Sequence, residues 1–590
     1  MLKFGRICRS FAQYSKVSNS VSKTKPEIPK LKSLNDNASR NDKALTTFQG
    51  PSASGSGNNT IKLGLALTLG VVIGSLSSAY SISEKPPPFL FPKSSTTPLK
   101  GIIAPQYANE KTIEQCRTKL EQVLGKENVV TTEETIKSHN DTYWNSHHPE
   151  STQFPKYVVY GTSTEQVSEI MKICHEYSVP IVPFTGGTSL EGHFISTRSG
   201  ISLDLSRMDK VLELHKEDLD VVVQPGVGWE TLADYLDDYG LLFGPDPGPS
   251  ACIGGMVGTS CSGTNASRYG TMKENVLNLT VVLADGTIIK TKQRPTKSSA
   301  GYNLTGLFIG SEGTLGVVTE ATLRLHVKPP FQTVAVVAFP GIRNAASTVA
   351  DIVGRGLQVD AMELVDDNMM RYINASGETT QKYNEVPTLF FKLGGPTKNA
   401  VDDLKKTVKD IADHYGAVKM HYASEEDEKL ELWNARKVAL WSTINYGRES
   451  ISPDIQVWTT DVAVPISRLP DVLLETKKDI DSSGLPSSMV GHAGDGNFHV
   501  FLLYKKDQHE RAARIVDRMV QRAIAMGGTC TGEHGVGYGK RGFLLEEDGH
   551  DTVDLMRKIK FAIDPKRILN PDKIFSIDPN DDPLNPLVHS

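Results

Sequence analysis

The chain has 590 residues, 38% hydrophobic and 23% charged, with a formal net charge of −5. That length implies two or three domains, the composition is that of a globular protein, and the negative balance disfavours a nucleic-acid partner. Cys8, Cys116, Cys174, Cys252, Cys261 and Cys530 form no C-x-x-C pair, which argues against a zinc ribbon or a small disulfide scaffold and reads as reduced or buried thiols.

The first acidic residue is Glu27, preceded by Lys3, Arg6, Arg9, Lys16, Lys23 and Lys25. Wound as a helix, Phe4, Ile7, Phe11 and Tyr14 share a face from which Arg6, Arg9 and Lys16 point away. A basic, acid-poor, amphipathic start is the composition of a mitochondrial transit peptide; a disordered basic tail is the competing reading. Residues 33–60 are a Ser, Asn, Thr and Gly-rich linker, so 1–60 reads as leader plus linker. Leu63 to Ser83 is an uncharged run, long enough as a helix (about 31 Å) to cross a bilayer core. Gly64, Gly70 and Gly74 dilute it, and a buried helix is the alternative. Leader plus hydrophobic stop has the form of a two-part sorting signal. It implies an inner-membrane anchor over 61–83 and a catalytic body facing the intermembrane space. Pro86-Pro87-Pro88 opens a stiff spacer, and 84–150 reads as spacer and N-terminal helices.

From about residue 151 the pattern changes. Val158–Tyr160 reads as a strand, Ser163 and Thr164 as the cap of a helix whose apolar positions are Val167, Ile170, Cys174 and Tyr177, and Val179–Phe184 as a second strand. Next comes Thr185-Gly186-Gly187-Thr188-Ser189-Leu190-Glu191-Gly192. Adjacent glycines let backbone N–H groups converge on an anion such as a diphosphate. The loop is not the G-x-G-x-x-G of a dinucleotide helix, which disfavours a Rossmann NAD site. Four further segments follow: Asp220–Trp229; Pro245-Asp-Pro-Gly248 with Cys252–Asn265; Arg268-Tyr-Gly270 with a hairpin at Asp285-Gly286; and Gly310–Glu320, leading into a strand over Ala321–Val327.

In this order these segments resemble the FAD-binding domain of the vanillyl-alcohol oxidase (PCMH) type of flavoprotein, over 151–328. The resemblance implies that Gly186, Gly187, Thr188 and Ser189 hold the FAD diphosphate through backbone amides. Pro245, Gly254, Gly255, Thr259, Gly263, Val318 and Asn570 would line the cofactor. Some members attach FAD covalently through a His or Cys of the diphosphate loop. His193 lies just beyond that loop, away from the usual attachment point, and noncovalent FAD is expected.

Pro329-Pro330 marks a boundary. Beyond it, strand-like runs (Val334–Phe339, Thr388–Leu393, Asp461–Val464, Val500–Tyr504) alternate with helical stretches at 400–414, 426–443 and 508–526. An α+β cap with an antiparallel sheet over 329–575 is predicted, followed by a tail over 576–590. Its central motif is Val490-Gly-His492-Ala-Gly-Asp495-Gly496-Asn-Phe-His499. A two-residue turn at Asp495-Gly496 would set His492 directly opposite His499, with Cβ atoms roughly 4.5–5.5 Å apart. That suits two imidazoles on one metal, and Glu533 in Gly532-Glu-His-Gly535 offers the third ligand. Two imidazoles and a carboxylate with an open position fit catalytic zinc, with manganese as an alternative. His534 can serve as general base or as a partner that orients the ligands. Arg436 can grip a carboxylate bidentately.

Trp433-x-x-Arg436, Thr460-Asp461-Val-Ala-Val-Pro465, the two-histidine segment, Gly532-Glu-His-Gly and Leu569-Asn570-Pro571-x-Lys573 together resemble the D-2-hydroxy-acid dehydrogenases of the flavin and metal type. The resemblance implies oxidation of D-lactate to pyruvate, with cytochrome c as acceptor, in mitochondrial members. D-2-hydroxyglutarate relatives carry a Lys just before the motif that begins here at Asp461. Thr459-Thr460 stand in its place, which favours a small monocarboxylate. D-2-hydroxyglutarate is the alternative substrate, and a non-redox transferase of the alkyl-glycerone-phosphate synthase type the alternative class.

Overall fold

Ser163 caps its helix as its position predicts: the side chain accepts from Gln166 N, and Thr164–Tyr177 buries Val167, Ile170, Met171 and Cys174. This computed structural model describes residues 94–423 and 425–581. The expected leader (1–60) and anchor (61–83) lie outside them, as does the tail beyond 581. Among the described residues no helix is long and apolar enough to cross a membrane.

The nucleotide half contains two sheets. In the first, Tyr157–Tyr160 and Ile181–Phe184 both run parallel to the central strand Ile201–Asp204, and Val129–Val130 adds an antiparallel edge. The second is antiparallel, in the order Val211–His215, Asp220–Val223, Val317–Arg324, Val276–Val282, Ile288–Lys290. The expected hairpin at Asp285-Gly286 joins its last two strands. Gly286 takes φ 85°, where a Cβ would lie 2.7 Å from Ser168 O, so only glycine fits there.

The cap is built on eight antiparallel strands. Seven lie in the order Lys419–Tyr422, Phe331–Ala338, Thr388–Gly395, Ala361–Val365, Ser487–His492, Asn497–Tyr504, Gln456–Thr459, and Val462–Ala463 pairs with Asn497–Phe498. One face packs under helices Ile342–Gly354, Lys398–His414, Leu469–Ser483 and His509–Ala525. The other packs under Asp367–Ser376, Glu426–Lys437 and Ala439–Ser450. Phe390 and Phe391 are fully buried on opposite faces, each contributing about 1.5–3 kcal/mol.

The stretch 426–443, expected as one helix, is interrupted at Val438, where ψ opens to 2° between two helices. After helix Arg541–Ile563 the chain returns to the nucleotide half. Ile568 and Leu569 join its core, Ile181 N donates to Ile568 O and Asn570 N to Ile181 O, both at 2.8 Å. Arg198 then binds Asp572, Asp578 and Asp581.

The two-histidine hairpin differs from its predicted register. The turn is a short 3₁₀ helix, Ala493–Asp495, closed by Gly496 at φ 75°, and His499 stands opposite Val490 rather than His492. A Cβ at Gly496 would meet Val464 O at 2.2 Å: the turn is pressed against a neighbouring strand, which a free two-residue turn would not anticipate. The register moves by two residues, and because side chains alternate with period 2, both histidines stay on one face.

Candidate metal and substrate site

His492 ends strand Ser487–His492. Its partner across the sheet is Glu363, which is fully buried and accepts from His492 Nδ1 at 2.9 and 3.0 Å. His492 Nε2 lies 3.0 Å from Glu533 Oε1, and His499 Nε2 lies 3.1 Å from the same oxygen. The two rings are 5.5 Å apart at 82°. The three predicted ligands therefore converge.

The tautomers are set from behind. His499 Nδ1 is 3.0 Å from the carbonyl of Thr460, which only accepts, so the proton sits on Nδ1 and the Nε2 lone pair faces Glu533. That arrangement has room for a cation between Nε2 and the carboxylate, and Glu533 Oε2 is buried with no hydrogen-bond partner. This donor set fits a divalent ion, with carboxylate and carbonyl supports behind the imidazoles. Burial disfavours charge on His492, but Glu363 and Glu533 outweigh it and hold its pKa well above the ordinary value. Burial keeps His499 below its ordinary value. Burial would raise Glu533, but His492 and His499 hold it well below the carboxylate range.

Glu533 and His534 both turn inward because their loop is wrapped around one carboxylate. Asp461 Oδ2 accepts from Thr531 Oγ1 at 2.7 Å, Gly532 N at 2.8 Å, and Glu533 N and His534 N at 2.9 Å. Burial would raise Asp461, but His534, Lys540 and His499 hold it well below its usual range. His534 stacks on His499 at 4.9 Å and 11°; its Nδ1 is buried without a hydrogen-bond partner, 3.8 Å from Glu191 Oε1.

The nucleotide half holds the other end of this loop. Glu312 accepts from Val536 N at 2.7 Å and Gly537 N at 2.8 Å. The Glu191 carbonyl accepts from Tyr538 N at 2.8 Å, and the Glu191 carboxylate meets Lys540 Nζ at 3.2 Å. Glu191 ends the predicted diphosphate loop and Glu312 lies in the Gly310–Gly316 turn, so both glycine-rich segments abut the cluster. Asn570 adds a clamp, donating to His193 O at 3.2 Å and Glu312 O at 2.6 Å.

The diphosphate loop is half-buried, and among the described residues no protein acceptor takes the amides of Gly186, Gly187, Thr188 or Ser189. A Cβ at Gly186 would strike Ser250 O at 2.6 Å, one at Gly254 Pro225 Cβ at 2.6 Å, and one at Gly263 Asp246 Oδ1 at 2.5 Å. Gly255 and Thr259 lie in helix Ile253–Thr259, with Gly255 against Thr185 Oγ1, and Pro245 precedes Asp246. Val318 sits at a register shift in its strand. Free amides on closely packed backbone suit a dinucleotide diphosphate.

Arg436 reaches the cluster through Glu363, with Nε at 2.8 Å and Nη2 at 2.7 Å from Oε2. The sequence reading missed Glu363: one acid inside Ala361–Val365 gives no local sign that it bridges a histidine and an arginine. Replacing Glu363 by Gln is expected to leave the fold intact and weaken metal affinity about 10–100-fold, the usual scale for a residue supporting a metal-bound imidazole. Metal titration of purified protein checks this; unchanged affinity would separate Glu363 from the site.

Residues 155–292 match the FAD binding domain family, and residues 328–574 match the C-terminal domain of the FAD linked oxidases. Over 489 residues the chain is 57% identical to D-lactate dehydrogenase [cytochrome], mitochondrial, of Kluyveromyces lactis, covering 82% of this chain and 85% of that protein. Among solved structures it resembles 4-ethylphenol oxidase from Gulosibacter chungangensis (TM-score 0.67, 19% identity, 81% of this chain and 99% of that one). It also resembles p-cresol methylhydroxylase (TM-score 0.63, 19% identity, 82% and 100%). At that identity the two structures speak for the fold, which is the expected vanillyl-alcohol oxidase (PCMH) type.

Proposed function

The chain belongs to the FAD-linked oxidases, a family of oxidoreductases, and from that premise we propose that it oxidises D-lactate to pyruvate and passes the electrons to cytochrome c. The observation that carries this reading is the convergence of His492, His499 and Glu533 beside Arg436 and the unpartnered Nδ1 of His534. The substrate follows the printed activity of the Kluyveromyces lactis relative and Thr459-Thr460, where a second-carboxylate lysine would be expected for a diacid.

FAD would be held noncovalently by the amides of Gly186, Gly187, Thr188 and Ser189, with Pro245, Gly254, Gly255, Thr259, Gly263, Val318 and Asn570 closing around it. When bound, it supplies the acceptor for the hydride equivalent leaving C2. A divalent ion held by His492, His499 and Glu533, zinc by this donor set with manganese as the alternative, would supply a Lewis acid. Arg436 keeps Nη1 clear of Glu363 and can hold the substrate carboxylate. His534 would accept the 2-hydroxyl proton, its ring fixed by stacking on His499. Glu312 and Glu191 hold the Gly532–Tyr538 loop against the nucleotide half, which keeps the proton acceptor in register with the cofactor loops. The relative's mitochondrial name and the basic leader support a mitochondrial location, with residues 63–83 as inner-membrane anchor and the body in the intermembrane space.

Anaerobic addition of D-lactate to the purified holoprotein tests the reading. The flavin absorbance should bleach at low D-lactate and respond far more weakly to D-2-hydroxyglutarate. Preferential bleaching by D-2-hydroxyglutarate would transfer the site to diacids, and no bleaching by either would favour the transferase class.

A further inference from the structure

Among the described residues Arg436, Lys540 and Lys392 stand around the cluster, and the first two are already committed. Arg436 gives Nε and Nη2 to Glu363. Lys540 lies 3.2 Å from Glu191 Oε1 and 3.7 Å from Asp461 Oδ2. Lys392 differs: among the described residues it makes no ion pair, and its one polar contact is a long 3.5 Å approach to Asn265 Oδ1. Asp246, the nearby buried carboxylate, is engaged by Thr264 Oγ1 and Asn265 N.

The fold places Lys392 in the site. Glu363 stands opposite Phe390 on one side and His492 on the other. Lys392 is two residues beyond Phe390, so its side chain shares the face that carries Glu363, His492 and His499. Its ammonium lies 3.9 Å from the centre of the Trp433 ring, and Trp433 is one helical turn before Arg436. Trp433 is 6% exposed, yet its indole N–H has no acceptor. Lys392, whose one acceptor is the long contact to Asn265, and the unpartnered indole N–H of Trp433 thus form an under-used patch of donors, beside an arginine whose charge Glu363 already balances. Such a patch takes an oxygen anion.

We propose that Lys392, seated on Trp433, is the cation that draws the substrate carboxylate into the site and holds it beside Arg436 Nη1. The proposal rests on the reading of the site as that of a 2-hydroxy-acid dehydrogenase and adds a residue that sets affinity for the acid. Asp246 is the carboxylate whose charge acts most on Lys392, but it makes no ion pair with it and is held by Thr264 and Asn265, so Lys392 contributes to binding while Arg436 fixes orientation.

The test uses holoprotein variants Lys392→Met and Lys392→Arg, with FAD and metal content measured for each. Lys392→Met should raise KM for D-lactate about 10–100-fold, the span of one charge-assisted hydrogen bond, with kcat within about threefold and the flavin midpoint potential unchanged. The dissociation constant of 2-hydroxy-2-methylpropanoate, which keeps hydroxyl and carboxylate but has no hydrogen on C2, should weaken equally when read from the flavin spectrum. Lys392→Arg should recover most of the loss. Unchanged KM and unchanged analogue binding in Lys392→Met would overturn the proposal. So would a shifted midpoint potential with unchanged KM, which would assign the ammonium to the flavin instead. If wild-type protein binds the analogue through Lys392 but D-lactate never bleaches the flavin, the anion site stands and the dehydrogenase reading fails.

Discussion

Replacing His499 by alanine is expected to lower the rate of flavin reduction by D-lactate about 1,000-fold or more while the protein keeps its FAD. His499 is held in orientation from behind. The Thr460 carbonyl fixes its tautomer, and its Nε2 faces Glu533 in a pocket that leaves the residue 5% exposed. Alanine removes one of three ligands, and two ligands do not retain a catalytic ion at ordinary free concentrations. The loss of Lewis-acid stabilisation is worth several kcal/mol, which sets the size of the effect. FAD should remain because, among the described residues, the polar and ring contacts of His499 go to Thr460, Asp461, Glu533, His492 and His534 and not to the Gly186–Ser189 loop. The check is the ratio of flavin to protein together with stopped-flow reduction; near-normal reduction in this variant would remove the imidazole from the chemistry.

Asp461→Ala is expected to be the most damaging change in the cap for stability. The carboxylate takes four donors from Thr531 to His534 on Oδ2 and Asn497 Nδ2 on Oδ1 at 2.7 Å. It also lies 3.7 Å from the buried Lys540. Alanine would leave those donors unsatisfied and the lysine with Glu191 as its remaining ion-pair partner. Removing one partner of a buried pair costs about 3–5 kcal/mol. The loop that aims Glu533 and His534 would lose its centre, so metal affinity should fall as well. The measurements are the unfolding midpoint and metal titration; a variant with wild-type values in both would show that the loop holds itself.

Much of this site can be read from local sequence because glycine and histidine are needed there for local reasons. Gly186, Gly254 and Gly263 are glycines since a Cβ at each would strike backbone or a packed ring, and that requirement shows as glycine-rich runs. His492, His499 and Glu533 announce themselves by residue type. What local sequence does not carry is who stands behind them. Glu363 meets His492 across a sheet pairing that spans 129 residues. Glu312 reaches Val536 over 224. Each is one acid among many until the fold brings it to its partner. The hairpin shows the same limit at short range. Asp495-Gly496 reads as a tight turn, but contact with Val464 selects a 3₁₀ turn instead. The side-chain face survived because the displacement was even. The return of Ile568–Asn570 to the nucleotide half shows only through the family likeness at Asn570, since a parallel bridge to Ile181 leaves no periodicity in either segment.

The measurement that bears most directly on the central claim, that the two imidazoles and Glu533 hold an ion required for chemistry, is the anaerobic half-reaction of metal-free protein. Holoprotein with FAD retained should be stripped of divalent ions, mixed with D-lactate, and then supplied with zinc or manganese. Little bleaching is expected without the ion, with recovery when one is returned. Flavin reduction at full rate in protein shown to contain no divalent metal would contradict it.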